Sequence, residues 1–168
     1  MLIGVISDTH DNKEKILKAV EIMNERGVEA VIHCGDFIAP FVKRWFDGLN
    51  DTAKKNFYGV FGNNDGERLF LKQNLGQICN LVGTELNIEL GGKKIYASHT
   101  LDKEAIDGLA QSGKFNIILT GHTHSIVNKK YDNGTLILNP GEACGYLTDK
   151  ATFAIINTEK MEAEIIEI

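Results

Sequence analysis

The sequence predicts an α/β fold in which two β-sheets pack together with helices outside them. Three observations lead there. The first part of the chain alternates short apolar runs with stretches of helical period, a βαβ rhythm that favours parallel pairing. The second half instead carries paired short runs around turn signals, as hairpins do. No repeat, low-complexity stretch or linker interrupts the 168 residues, so one domain is expected over 1–168.

Leu2–Ile6 is a continuous apolar run and reads as a buried strand. It ends in the polar loop Ser7-Asp8-Thr9-His10-Asp11-Asn12. Asp11 is the expected cap of the next helix, with Glu14 completing a capping box. Ile16, Ala19, Val20 and Met23 keep helical spacing, and Gly27 is a natural stop. Ala30–His33 reads as the next buried strand, followed by Cys34-Gly35-Asp36. Pro40 suits the first turn of a helix, whose apolar stripe is Phe41, Val42, Trp45, Phe46 and Leu49, a core stripe by default. Phe57–Phe61 reads as a third strand ending in Gly62-Asn63-Asn64-Asp65-Gly66, with a short helix over Glu67–Leu75.

The second half changes period. Leu86–Leu90 and Lys94–Ser98 flank Gly91-Gly92 as a hairpin. Asp102–Ser112 is a helix, and Asn116–Thr120 a strand that stops at Gly121-His122-Thr123-His124. Val127–Tyr131 and Thr135–Leu138 flank Asp132-Asn133-Gly134 as a second hairpin. Thr152–Asn157 and Ala163–Ile168 read as closing strands.

Composition excludes several classes. The formal charge is −5 and no basic run exceeds a lysine pair, which argues against long nucleic acid as the main partner. No apolar run approaches the roughly 18 residues of a membrane helix. The first candidate ligand falls at residue 8, so no signal peptide is expected before it. Three widely spaced cysteines, Cys34, Cys79 and Cys144, suit packed thiols in a cytoplasmic protein better than a disulfide framework.

The chemistry lies directly after the expected strands: Asp8-x-His10, Gly35-Asp36, Gly62-Asn63-Asn64-Asp65, Ser98-His99 and Gly121-His122-x-His124. Strand ends carry ligand sites because loops converge there while the sheet fixes them. Gly35, Gly62 and Gly121 would allow a sharp exit from each strand. Asp8, His10, Asp36, Asn63, His99, His122 and His124 offer nitrogen and oxygen donors without thiolate. That set fits Mn, Fe, Zn, Co or Ni, and it suits two ions rather than one. Paired ions are suited to in-line displacement at phosphorus. Blander readings exist. Asp36 and Asn63 also suit turns. Asp65 suits either a cap for the helix near Glu67 or an orienting contact. Glu142 and Tyr146 suit a pocket rim or plain surface. His33 reads as a buried core histidine and is left out.

Taken in order, these five motifs resemble the calcineurin-like metallophosphoesterases, in particular their small prokaryotic phosphodiesterases, nearly end to end. Asn139-Pro140-Gly141 resembles that branch too. The resemblance implies a four-layer α/β/β/α sandwich with two mixed β-sheets. It implies two divalent ions, Mn2+ first, with Asp8, His10, Asp36 and His124 on one and Asp36, Asn63, His99 and His122 on the other. It implies a metal-bridging hydroxide attacking small organic phosphate diesters, with Asp36, Asn63, Asn64, Asp65 and His99 as the catalytic set. Many members have histidine at the Asn64 position. An amide donates a hydrogen bond but delivers no proton, so a diesterase acting on activated esters is expected. Members often have glycine where Thr100 stands, so the loop after His99 is expected to take another path. The rival expectation is a metal-binding scaffold, because the eukaryotic retromer scaffold subunit has this fold. A homodimer is the generic expectation for assembly.

Overall fold

A computed structural model describes residues 1–168. In chain order the strands are β1 (Leu2–Ile6), β2 (Ala30–His33), β3 (Phe57–Val60), β4 (Asn80–Gly83), β5 (Glu85–Leu90), β6 (Lys93–Ser98), β7 (Ile117–Leu119), β8 (Val127–Lys130), β9 (Leu136–Asn139), β10 (Thr152–Asn157) and β11 (Glu162–Glu167). The helices are α1 (Lys13–Glu25), α2 (Lys43–Phe46), α3 (Asp51–Lys55), α4 (Arg68–Leu75) and α5 (Lys103–Gln111), with a 3₁₀ turn at Pro40–Val42.

Both sheets are mixed. The first runs β11-β10-β1-β2-β3-β4, with β1 to β4 parallel and β10 and β11 antiparallel. The second runs β5-β6-β7-β9-β8, with β6, β7 and β9 parallel and hairpin partners at both edges. Apolar side chains separate into three clusters, as a four-layer α/β/β/α sandwich requires. Ile6, Val31, Phe57 and Phe153 of the first sheet meet Ile16, Val20, Phe46 and Leu71 of the helices. Val5, Ile32 and Ala154 meet Ile95, Leu119 and Leu138 between the sheets. Ile118 and Ile137 meet Ala110 of α5 on the far side. These clusters hold 21, 16 and 3 buried residues, so the single-helix outer layer is the thinnest.

The structure departs from expectation in four local places. Asn12, not Asp11, caps α1: its Oδ1 accepts from Lys15 N at 3.3 Å, while Asp11 turns away to accept from Ala39 N at 3.1 Å. The helix after Pro40 ends at Phe46, and Asn50, accepting from Ala53 N at 2.9 Å, caps a further short helix, α3, that was not expected. The stripe expected after Pro40 divides: Val42, Phe46 and Leu49 are buried, Trp45 is half-buried and Phe41 is 64% exposed. Strand β4 was not expected; it is an edge with one buried residue, Leu81, and so carries little apolar period.

Candidate metal centre

The candidate residues follow the C-terminal ends of five parallel strands. Asp8 and His10 follow β1, Asp36 follows β2, and Asn63 to Asp65 follow β3. His99 follows β6, and His122 and His124 follow β7. The loops are tied to one another by backbone bonds: Asp8 N donates to Gly35 O (3.0 Å), Thr9 N to Asp36 O (3.1 Å) and Gly121 N to His99 O (3.0 Å).

Asp8 is the hub. Its Oδ2 accepts from Ser7 Oγ (2.5 Å) and His122 N (3.1 Å). Its Oδ1 has no hydrogen-bond partner although it is buried, and the same is true of His10 Nε2. Around Asp8 Oδ1 stand three imidazole nitrogens: His124 Nε2 at 3.2 Å, His10 Nε2 at 3.9 Å and His99 Nε2 at 3.9 Å. Asp36 Oδ2 lies 3.6 Å from His10 Nε2 and 3.3 Å from His99 Nε2. Two three-residue groups therefore emerge with mutually close ligand atoms, Asp8–His10–His124 and Asp8–Asp36–His99. Burying orphaned acceptors is costly unless a cation satisfies them.

The tautomers point the same way. His99 Nδ1 lies 2.7 Å from the Cys34 carbonyl, which assigns it a hydrogen. Its Nε2 then faces two acceptors, Asn63 Oδ1 at 3.0 Å and Asp36 Oδ2 at 3.3 Å. Without a metal ion a second proton must sit there. Burial pushes the His99 pKa down, but Asp36 and Asp8 more than offset this and raise it. Burial likewise pushes the Asp36 carboxyl up, and the bonds from His99 and Asn64 overcome it, holding it well below the usual carboxylate range. A divalent cation would replace the proton between these groups, so the donor set fits one.

Not every expected residue joins the cluster in the same way. His122 stands outside both close groups; its exposed ring lies 5.3 Å from the His99 ring, edge to face. Asn64 turns to Asp36, donating from its backbone N to Oδ1 and from Nδ2 to Oδ2, both at 2.8 Å. Asp65 is not the α4 cap. Its buried carboxylate accepts from Asp36 N (3.1 Å), Ile38 N (2.8 Å) and Gly62 N (2.7 Å), locking two ligand loops together. Thr100 takes no positive φ, and the His99 ring still reaches the cluster. His33 is the buried histidine expected: Gly35 N donates to its Nδ1 at 3.1 Å, and its Nε2 lies 3.0 Å from Thr9 Oγ1.

Glu142, read from the sequence as pocket rim or plain surface, has an orienting role that reading missed. It is fully buried beyond β9. Its Oε2 accepts from His124 Nδ1 at 2.8 Å, so His124 presents Nε2 to Asp8. Cys144 Sγ and the backbone N–H groups of Tyr146, Leu147 and Thr148 also donate to this carboxylate. Burial raises its pKa, but these donors prevail and hold it at about 2. Its only sequence signal is that it follows a strand closely, as the other site residues do.

Two further features mark a built site. Asp8, His10, Asp36, His122 and His124 all have left-handed backbone, with φ between 40° and 66°. Each such non-glycine residue costs on the order of 1 kcal/mol or more, and such strain concentrates at functional sites. The neighbouring Gly121 has no positive φ, contrary to expectation. It is needed for close approach, since a Cβ there would collide with Ser7 Oγ and come within 2.8 Å of Asp8 Oδ2. By contrast, a surface concavity of about 570 Å³ lies beside Lys54, Phe57 and Asn80, where β3 and β4 begin, away from these loops.

Comparison with known proteins shows the family. The family model for the calcineurin-like phosphoesterase superfamily domain matches residues 1–161. The chain is 42% identical over 164 residues to a phosphodiesterase of Methanocaldococcus jannaschii, covering 96% of each. A solved archaeal phosphodiesterase superimposes with a TM-score of 0.92 at 40% identity, covering 100% of both chains. Zinc-bound Vps29 of Entamoeba histolytica shares the fold, with a TM-score of 0.70 at 20% identity over 99% of each chain. Matched over almost its whole length by both sequence and architecture, the chain belongs to the calcineurin-like phosphoesterase superfamily.

Proposed function

We propose that the chain is a divalent-metal-dependent phosphodiesterase acting on small organic phosphate diesters. The observation that carries this is the convergence of unpartnered acceptors, Asp8 Oδ1 and His10 Nε2, with His99, His124 and Asp36. Similarity to archaeal phosphodiesterase, in sequence and in solved structure, supports the same reading.

In this reading Asp8, His10, Asp36 and His124 hold one ion, and Asp36, Asn63, His99 and His122 hold the other. Asp36 would serve both sets, since its Oδ2 lies within 3.6 Å of His10 Nε2 and 3.3 Å of His99 Nε2. Bound there, such ions would activate a water as nucleophile and neutralise charge gathering on the phosphoryl oxygens. The protein's part is preorganisation. Glu142 and the Cys34 carbonyl set the His124 and His99 tautomers so that each presents Nε2. Asn64 and Asp65 fix the Asp36 side chain and backbone respectively. The Asn64 amide can donate a hydrogen bond to a leaving alkoxide but cannot protonate it, so esters with good leaving groups are favoured. Nitrogen and oxygen donors admit Mn2+, Ni2+, Fe2+, Zn2+ or Co2+, with Mn2+ the proposed occupant. The proposed setting is the cytoplasm; the three cysteines are free and buried, and no helix is long and apolar enough to cross a membrane.

The test is turnover of an activated phosphodiester and the matching monoester by Mn2+-loaded protein, with metal content measured alongside. Asp36→Ala should lose both metal and activity. Wild-type turnover no greater than that of the variant would sink the assignment. Asn64→His should raise monoester hydrolysis more than diester hydrolysis; equal effects would refute the leaving-group account.

A further inference from the structure

A half-open pocket of about 230 Å³ adjoins the metal centre, lined by Asn63, Arg68, Thr84, Ser98, His99 and Thr100. Asn63 and His99 are candidate ligands, so whatever occupies the pocket sits against the metal centre. Arg68, the first residue of α4, is held from three directions. Its Nε donates to Asp65 O at 3.2 Å and its Nη2 to Gly62 O at 2.9 Å. Its guanidinium carbon lies 5.2 Å from the centroid of the Phe61 ring. Unlike Arg26, which pairs with Glu164, it has no carboxylate partner. Two of its five N–H donors are used, and three remain. A positioned guanidinium with free donors matches the planar oxygens of carboxylate or phosphate. The setting gives this charge a use: on a chain of net charge −5, a substrate group that extends beyond the metal centre needs a local cation of its own if it is anionic.

We propose that Arg68 is a specificity residue, forming with Thr84, Ser98 and Thr100 a subsite for a second anionic group, a carboxylate or phosphate, carried on one ester substituent of the substrate. This rests on the phosphodiesterase reading and narrows it to diesters with an additional negative charge.

The experiment compares 4-nitrophenyl phosphodiesters whose second alcohol ends in a carboxylate, a phosphonate or a methyl ester. Mn2+-loaded wild type should show kcat/KM about tenfold or more higher for the charged esters, as charge-assisted hydrogen bonds imply. The readout is the charged-to-neutral ratio within each variant, because loosening the Gly62–Asp65 loop lowers all esters together. Arg68→Gln should bring the ratio to about one, and Arg68→Lys should restore part of it; the two charged arms identify the preferred anion. A separate arm titrates the free carboxylate- and phosphonate-bearing alcohols into the protein and follows the amide resonances of Thr84, Ser98 and Thr100. Saturable shifts in wild type but not in Arg68→Gln support the subsite even if no ester is hydrolysed; in that case the phosphodiesterase reading fails alone. Absent shifts, or a ratio that Arg68→Gln leaves unchanged, would overturn the proposal.

Discussion

Replacing Glu142 by Gln isolates the contribution of one buried charge without changing volume. Both carboxylate oxygens are fully used: Oε1 accepts from Leu147 N (2.9 Å) and Thr148 N (2.5 Å), and Oε2 from His124 Nδ1 (2.8 Å), Cys144 Sγ (3.0 Å) and Tyr146 N (3.1 Å). In either orientation the glutamine NH2, itself a donor, faces groups that donated to the carboxylate. A carboxyl held at about 2 against an ordinary 4.5 prefers its charged form by about 3 kcal/mol, and the amide resembles the disfavoured neutral form. The expected loss of stability is thus about 3 kcal/mol, or roughly 10 °C in melting temperature for a chain of this size. The change also reaches the metal centre. An NH2 group opposite Nδ1 favours the other His124 tautomer, which puts a hydrogen on the Nε2 that should bind metal. Loss of such an orienting contact typically weakens metal binding about 10- to 100-fold. Thermal melts of the metal-free proteins and calorimetric titration with Mn2+ measure the two effects separately. A variant that melts within about a degree of wild type and binds Mn2+ equally well would refute the reasoning.

Three other outcomes are expected. Mn2+ at a hundred times its dissociation constant should stabilise the protein by about 2.7 kcal/mol and chelator should reverse it; unchanged melting with every candidate divalent ion would contradict the metal centre. Burial holds the His33 pKa well below its ordinary value, so the unfolded chain takes up a proton that the folded chain refuses. Stability should therefore fall below about pH 6.5, by up to about 1.4 kcal/mol per unit, and less steeply in His33→Gln; equal slopes in urea melts would count against this. Gly121→Ala should cost about 1–3 kcal/mol by overpacking against Ser7 and Asp8 and should displace the Asp8 carboxylate. Wild-type stability together with wild-type metal binding in that variant would show the contact to be slack.

Much of the site was legible because histidines and aspartates recur immediately after apolar strands. Asp8, His10, Asp36, His99 and His124 converge as their positions implied. What was not legible depends on direction rather than residue type. Asp65 looked as much like a helix cap as an orienting residue, and only the path of the Asp36–Ile38 backbone decides between them. Glu142 is a charged residue that is buried because three consecutive backbone N–H groups wrap it, a contact that no periodic pattern announces. In the fold, strands buried on both faces stood out as apolar runs. Edge strand β4, with Leu81 alone buried, did not, nor did the short helix α3 that Asn50 caps.

The placement of ligands on both sheets has a consequence for how the protein acquires metal. Asp8 and Asp36 come from the first sheet, His99 and His124 from the second, and 116 positions separate Asp8 from His124. No short segment holds enough donors to capture an ion while the rest is unfolded, as a zinc finger does. Metal uptake by these candidate ligands would therefore come late, after the sandwich has closed and the distant contacts have formed. The ion then behaves as a clasp between finished halves, and a chain that has paired its sheets out of alignment cannot be loaded.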